Sequence, residues 1–402
     1  MKKPAPQTGS SLEVLLAFLK LGVTSFGGPI AHIGYFRREF VVRRGWLSEE
    51  AYADLVALCQ FLPGPASSQV GFSIGLMRAG FVGALAAWIG FTLPSVLALV
   101  LFASGAGAFG GATGFGLLHG LKLVAVAVVA QAVWGMARSL CPDRERATIA
   151  VVAALIVLFS ASSIGQIAAI ILGGFAGMWF CRAVPATVVG HLAVPVSRKT
   201  GLAALAAFFL ILFGLPLLSG LGLLQGVRVF DAFYRSGALV FGGGHVVLPL
   251  LREAFVTSGL VSDDVFLAGY GAAQAVPGPL FTFAAYLGFV VGPSPHGLAG
   301  AVLGLVAIFL PGMLILVGTL PFWDALRRRA GAQAAMRGVN ASVVGLLAAA
   351  LYSPVWTSSV ATPADFAIAL AGFVLLTVWR APPLIVVMLG AVAGMAMAQA
   401  SI

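Results

Sequence analysis

Apolar runs of about 17 to 25 residues, the length that crosses a bilayer as an α-helix, follow one another along almost the whole chain. The first, about residues 12–35, is interrupted by Phe26-Gly27-Gly28-Pro29. A loop with Arg37, Arg38, Arg43 and Arg44 follows, then Gly45-Trp46-Leu47-Ser48-Glu49-Glu50, where Ser48 ahead of two acids predicts a helix N-cap with an acidic first turn. That helix runs into Gln60-Phe61-Leu62-Pro63-Gly64-Pro65. Pro-Gly-Pro cannot continue it, because proline lacks the backbone N–H, clashes with the preceding turn and biases the residue before it away from helical angles. The helix restarts at about Ala66 and ends near Arg78. Further spans are predicted over about residues 80–104, 115–139, 147–160 and 164–181, with a polar linker over 182–199 and another crossing over 201–221.

The pattern then restarts. Phe241-Gly242-Gly243-Gly244 matches Phe26-Gly27-Gly28-Pro29, with Arg235 at the Lys20 position and Gly237 at Gly22. Gly259-Leu260-Val261-Ser262-Asp263-Asp264 matches the Gly45 to Glu50 loop, and Gln274-Ala275-Val276-Pro277-Gly278-Pro279 matches Gln60 to Pro65. Pro311 answers Pro94, Arg337-Gly338 answers His119-Gly120, and Gly390 and Gly394 answer Gly173 and Gly177. A run of matches in the same order, at an offset of about 215 residues, is a duplication. The expected organisation is a first repeat over residues 1–182, a linker with a connecting helix over 183–222, and a second repeat over 223–402.

Composition supports a membrane class. The chain of 402 residues is 60% hydrophobic and only 9% charged, with a mean hydropathy of +1.05; a soluble domain carries about a quarter charged residues. The formal charge of +10 sits in short loops, which fits the positive-inside rule rather than nucleic-acid binding. Cys59, Cys141 and Cys181 are odd in number, lack metal-ligand spacing and read as buried small residues. The N-terminal Met1-Lys2-Lys3 has no small-residue cleavage site after the first apolar run, so the segment reads as retained.

Charge also predicts orientation. The arginine-rich loop at 37–44 has a counterpart in which Arg252 is offset by Glu253, Asp263 and Asp264; the uncharged stretch 105–116 is answered by Arg327, Arg328 and Arg329; and Arg138, Arg144 and Arg146 answer an almost uncharged stretch at 353–362. Equivalent loops then lie on opposite sides of the membrane, so the repeats have inverted topology. With Arg37 to Arg44 and Arg78 inside, the first segment and the Pro63-Gly64-Pro65 segment each enter and leave on one face. This gives about nine full crossings plus two re-entrant hairpins per half. A first segment that simply spans is the alternative.

The breaks are where chemistry is expected. A helix restarting after Pro65 offers unpaired N–H groups at Ala66-Ser67-Ser68-Gln69, and with two hydroxyls they form an anion site. Leu280-Phe281-Thr282 holds this place in the second half with fewer donors; the plain alternative is that Pro-Gly-Pro only shapes a turn. Gly27, Gly28, Gly242 and Gly243 either let a ligand approach the backbone or serve close helix packing. Lys20, Lys122 and Arg235 are the cations expected to lie deep, with Arg78 and Arg337 nearer an edge and Glu13, Asp54 and Asp231 as the acids within segments. An interior richer in cations than in carboxylates suits an anion. His32 and His245, close after the glycine motifs, read as hydrogen-bonded structural histidines or as proton-coupling groups. No nucleophile–base pair, Walker loop, paired-cysteine motif or histidine-rich tract is present, so neither an enzyme nor a cofactor is implied.

Taken together, Phe26 to Pro29, Gly45-Trp46-Leu47, Gln60 to Pro65, Phe241 to His245 and Gln274 to Pro279 resemble the chromate ion transporter family in its long two-domain form. The resemblance covers nearly the whole chain. It implies a multi-pass bacterial inner-membrane protein that exports chromate and confers resistance to it. The paired breaks make Gln60, Pro63, Gly64, Pro65, Ser67, Ser68, Gln274, Pro277, Gly278 and Pro279 the candidate substrate-binding residues. Sulfate, another tetrahedral dianion, is the look-alike, an anion channel would use similar breaks, and a homodimer is left open. Gly244 in place of Pro29, and Leu260 in place of Trp46, argue against equal roles for the two halves.

Overall fold

The interrupted apolar pattern folds as helices that stop and restart at its breaks. The computed structural model describes residues 9–26, 28–106, 111–160, 163–181, 195–220, 225–240, 246–292, 294–326 and 329–400, and all regular structure among them is helical. The first half comprises α1 (Ser11–Thr24), α2 (Gly28–Phe36), α3 (Glu49–Phe61), α4 (Ala66–Ala106), α5 (Gly111–Leu140), α6 (Arg144–Ser160) and α7 (Ser163–Phe180). After α8 (Arg198–Gly220) come α9 (Gln225–Ala238), α10 (Val247–Arg252), α11 (Asp263–Ala275) and α12 (Phe283–Val290). Then follow α13 (Gly297–Thr319), the short α14 (Trp323–Leu326), α15 (Ala330–Ala350), α16 (Pro363–Thr377) and α17 (Pro383–Ala400).

This is a multi-span α-helical membrane protein. Among the described residues, five helices are long and apolar enough to cross a bilayer. On α8 the side chains of Leu210, Phe213 and Leu217 are two-thirds or more exposed, as expected of a helix facing lipid.

The capping signals act as the sequence predicts. Ser48 Oγ accepts from Ala51 N–H at the start of α3, and Ser262 Oγ accepts from Val265 N–H at the start of α11. The arginine-rich stretch expected as a loop is instead a wide π-helical turn, Arg37–Arg43, continuing α2. Glu39 is buried there, and Lys20, Arg43 and Arg44 reach it at 3.4, 2.9 and 2.8 Å. A buried carboxylate is costly unless it is paired, so the turn holds the stretch against α1. The same turn recurs after α10, at Glu253–Thr257.

Close contacts come in matched pairs across the halves. Gly22 sits against the backbone of Gly90 and the ring of Pro94, and Gly237 against the backbone of Ile308 and the ring of Pro311. Gly75 meets Gly83, and Gly288 meets Gly300. The halves also interlock: Gly116 and Gly120 of α5 pack on Gly394 and Gly390 of α17, while Gly338 of α15 packs on Gly173 and Gly177 of α7. Small residues at these crossings let backbones touch, which is how helices bind one another where lipid removes the hydrophobic drive.

Chain ends on one side of the first half are tied together. Arg44 and Arg78 both reach Glu13, at 3.5 and 3.2 Å, and Gly9 N–H donates to the Arg78 carbonyl. The starts of α1 and α3 and the bend of α4 at Ala79 and Gly80 are thus neighbours, with Trp46 stacked under both guanidinium groups. In the second half Gly226, at the start of α9, stands against Pro295, just beyond α12, and Arg252 pairs with Asp263 at 2.6 Å.

A side chain at Gly237 has no room. Gly237→Val is expected to destabilise the protein by about 3 kcal/mol or more through overpacking, whereas Gly214→Val, where an added Cβ meets open space, should change stability by about 0.5 kcal/mol or less. Melting midpoints in detergent measure both, and equal midpoints would refute the close crossing.

Candidate functional site

Each Pro-Gly-Pro break is held by the other half. Gly64 N–H donates to the Val240 carbonyl at 2.7 Å, and Gly278 N–H donates to the Ser25 carbonyl at 2.9 Å. Ser25 and Val240 occupy matching places at the ends of α1 and α9, so each break binds the end of the corresponding helix of the opposite repeat. The middle glycines have φ of 116° and 98°, a region that side chains disfavour, and both lie hard against neighbouring atoms. The carbonyls before them are also capped. Gln69 Nε2 donates to Pro63 O at 2.9 Å and to Gly312 O at 2.8 Å, while Ser95 Oγ donates to Pro277 O. Gly312 and Ser95 follow Pro311 and Pro94, so each break rests on the proline turn of the other half's long helix.

The two breaks differ in exposure. Pro63, Gly64 and Pro65 are buried, whereas Pro277 and Gly278 are half-buried. A cavity of about 50 Å³ lies at the second break, lined by Gly28, Pro29, Gln131, Gln274, Gly278 and Leu280 together with apolar neighbours. It lies at the N-terminus of α2, whose first N–H groups have no intrahelical acceptor. Gln274 Nε2 is buried with no hydrogen-bond partner of its own, with the Tyr270 hydroxyl beside the amide. None of the described residues lining this cavity is charged. Its size admits a group of a few water-sized atoms, on the order of four, as in a small tetrahedral oxyanion.

On the first-half side, Ser67 and Ser68 at the start of α4 are buried, at 2% and 3% exposure. His32 is fully buried, its Nδ1 3.4 Å from Ser67 Oγ and its ring edge-on to Phe91 at 5.1 Å. It also lies against the Ser25 backbone, which binds Gly278. The hydroxyls of Ser25, Ser68 and Thr92 are buried without partners. An unsatisfied buried polar group costs about 1–3 kcal/mol, so a cluster of them marks a place kept for something other than stability.

The expected site residues are therefore only partly brought together. Gly28, Gln274 and Gly278 share one cavity, and Pro277, through Ser95, and Ser67, through His32, stand around it. Gln60 is exposed and turned away. Lys20, expected deep, has a half-exposed side chain and pairs with Glu39; Lys122 pairs with Asp264 at 2.8 Å; Arg235 lies 3.7 Å from Asp231. Thr282 Oγ1 donates to Pro279 O, so the second half's hydroxyl is already engaged. Gly27, Gly242, Gly243 and His245 lie outside the described residues. The side-chain roles of Gln69, Ser95 and Gln131 were not anticipated from the sequence, and the Gln69 N–H, expected free for an anion, donates to the Pro65 carbonyl at 2.9 Å. The available signal was a polar residue in an apolar run, directly after Pro-Gly-Pro or beside a matched proline.

The family model described as chromate transporter matches residues 12–178 and again 227–395. A chromate transport protein of Pseudomonas aeruginosa is 30% identical over 391 residues, covering 93% of this chain and 89% of that protein. One of Cupriavidus metallidurans is 27% identical over 347 residues, covering 84% and 81%. A probable chromate transport protein of Synechococcus elongatus is 27% identical over 340 residues, covering 83% and 82%. No solved structure matches.

Gln69→Leu leaves the Pro63 and Gly312 carbonyls uncapped and is expected to cost about 2–4 kcal/mol. Gln60→Leu, on an exposed side chain, should be close to neutral. Thermal unfolding of the two variants checks this, and a Gln69→Leu melt equal to wild type would show that the amide is no clamp.

Proposed function

Because the chain belongs to the chromate transporter family, we propose that it exports chromate from the cytoplasm across the bacterial inner membrane and so confers resistance to it. The observation that carries this reading is the cavity between Gly28 at the start of α2 and Gln274–Gly278 of the opposite half. Its donors are an amide and backbone N–H groups, and an oxyanion stripped of water needs such fixed donors in place of hydration, which is worth several kcal/mol or more. Helix N-termini add a favourable dipole. An inside-negative potential favours exit of the anion by about 2.3 kcal/mol per charge per 100 mV, so a dianion leaves downhill.

We read the repeats as residues 1–182 and 223–402 in opposite orientations, joined by a linker and helix over 183–222. Glu13 binding both Arg44 and Arg78 supports hairpins that open on one face, and the contact of Gly226 with Pro295 supports their mates on the other. α1–α2 and α3 with the first leg of α4 then form re-entrant pairs, as do α9–α10 and α11–α12. The crossings are the rest of α4 with α5, α6, α7, α8, α13, α15, α16 and α17. Alternating access follows from relative motion of the interlocked halves around the two breaks. Sulfate is the rival cargo, since the donors recognise a tetrahedral dianion by shape and charge. A channel would share the breaks but not substrate counterflow.

Flux of radiolabelled chromate or sulfate into everted vesicles, with and without a membrane potential, tests the transport reading. Saturable chromate flux with counterflow is expected; sulfate flux without chromate flux would overturn the cargo, and current without counterflow would overturn the carrier. Gln274→Leu is expected to lower chromate flux about tenfold, equivalent to about 1.4 kcal/mol, while the protein still folds and inserts. Pro277→Ala should impair flux while insertion survives. For topology, single cysteines at exposed Arg38 and Ser258 should label from opposite faces of the membrane; labelling from one face would sink the inverted arrangement.

A further inference from the structure

A second polar cavity, of about 240 Å³, lies away from the breaks, between α7 of the first half and α9 and α10 of the second. Its wall includes Gln166, Arg228, Asp231, Arg235 and Glu253. It adjoins a larger cavity of about 590 Å³ that shares Gln166 and Glu253 and reaches Arg252 and the end of α15. Two of the lining residues are buried and carry acceptor atoms without partners: Asp231, 8% exposed, through Oδ1, and Gln166, 7% exposed, through Oε1. Arg235 is 3.7 Å from the other oxygen of Asp231, too far for a hydrogen bond. A buried carboxylate held this loosely keeps a free acceptor where only a donor satisfies it.

We propose that Asp231 is a proton-binding site that couples oxyanion movement to proton movement, resting on the transport reading above. A proton that enters the cavity as hydronium and passes to Oδ1, leaving water, turns the unpaired acceptor into an O–H donor and removes a buried negative charge. The charged groups that face Asp231 are Arg228 and Arg235 on its own helix and Glu253 on the turn after α10; α7 contributes the neutral Gln166 and Ile167. A proton fits this environment better than a metal cation, because two guanidinium groups repel a fixed positive ion, whereas the protonated acid is neutral. α9 carries Asp231 towards Val240, whose carbonyl binds Gly64 of the first Pro-Gly-Pro. The charge on Asp231 thus bears on the helix that holds that break. The first repeat has Leu16 at the matching place. The coupling site is accordingly single, although the fold is duplicated.

Two measurements on the full-length protein test this. Infrared difference spectra of the wild type between acidic and neutral pH should contain the band of a protonated carboxyl that Asp231→Asn lacks and Asp231→Glu restores at a shifted frequency; an unchanged band in Asp231→Asn overturns the site. In proteoliposomes with the potential clamped at zero, a gradient of about one pH unit, a tenfold ratio of proton activity, should speed wild-type chromate flux several-fold when protons run counter to chromate. Asp231→Asn should transport chromate more slowly than the wild type, at a rate that does not change with the gradient. Wild-type flux indifferent to the gradient, or an Asp231→Asn variant that responds fully, overturns coupling. The carboxyl band without flux of any oxyanion overturns the transport reading instead and leaves the proton site standing.

Discussion

Two backbone hydrogen bonds, from Gly64 N–H to the Val240 carbonyl and from Gly278 N–H to the Ser25 carbonyl, hold the centre of this protein together. Their importance comes from the solvent. Where a helix breaks inside a membrane, each polar backbone group left without a partner costs several kcal/mol, because lipid supplies neither donors nor acceptors. The chain breaks at matching places in both halves, and each half provides what the other's break lacks. Ser95 extends the exchange to the Pro277 carbonyl, while Gln69 ties the Pro63 carbonyl of its own half to the Gly312 carbonyl of the other. Neither half satisfies its breaks alone, and the glycine crossings of α5 on α17 and of α15 on α7 close the assembly.

Symmetry of scaffold does not extend to symmetry of chemistry. At the first break the prolines are buried and Gln69 spans two carbonyls, a closed arrangement. The second is half-buried and borders a cavity lined by Gln274, whose Nε2 has no partner. Serines 67 and 68 with His32 lie on the first-half side of the same centre, while the corresponding Thr282 hydroxyl is turned onto its own backbone. The charged side chains are arranged around this neutral centre. Lys20, Arg43 and Arg44 converge on Glu39, and Lys122 meets Asp264, so the cations brace element ends while neutral donors face the cavity.

Much of the scaffold is legible in the sequence because lipid imposes simple rules. Run length predicts helices, Pro-Gly-Pro predicts breaks, and Ser48 and Ser262 predict helix starts that the structure contains. The matches Gly22–Gly237 and Pro94–Pro311 become contacts of one kind in both halves. What local pattern cannot reveal is pairing across the repeats. That Gly64 bonds to Val240 rather than to a residue of its own repeat depends on how the two halves pack together, and nothing near either residue encodes it. The cations misled for a related reason: a lysine in an apolar run reads as deep, but Lys20 reaches Glu39, a carboxylate brought alongside by a π-helical turn that periodicity does not predict. Gln69 and Ser95 were passed over because a lone polar residue beside a proline has many uses.

The claim at the centre of this account is that a tetrahedral oxyanion binds between Gly28 of one half and Gln274 and Gly278 of the other. Crystals of the full-length protein grown with chromate, measured at the chromium absorption edge, address it directly through anomalous scattering. A chromium peak in the cavity bounded by those residues is the predicted result. A saturable peak elsewhere, with that cavity holding none, would contradict it.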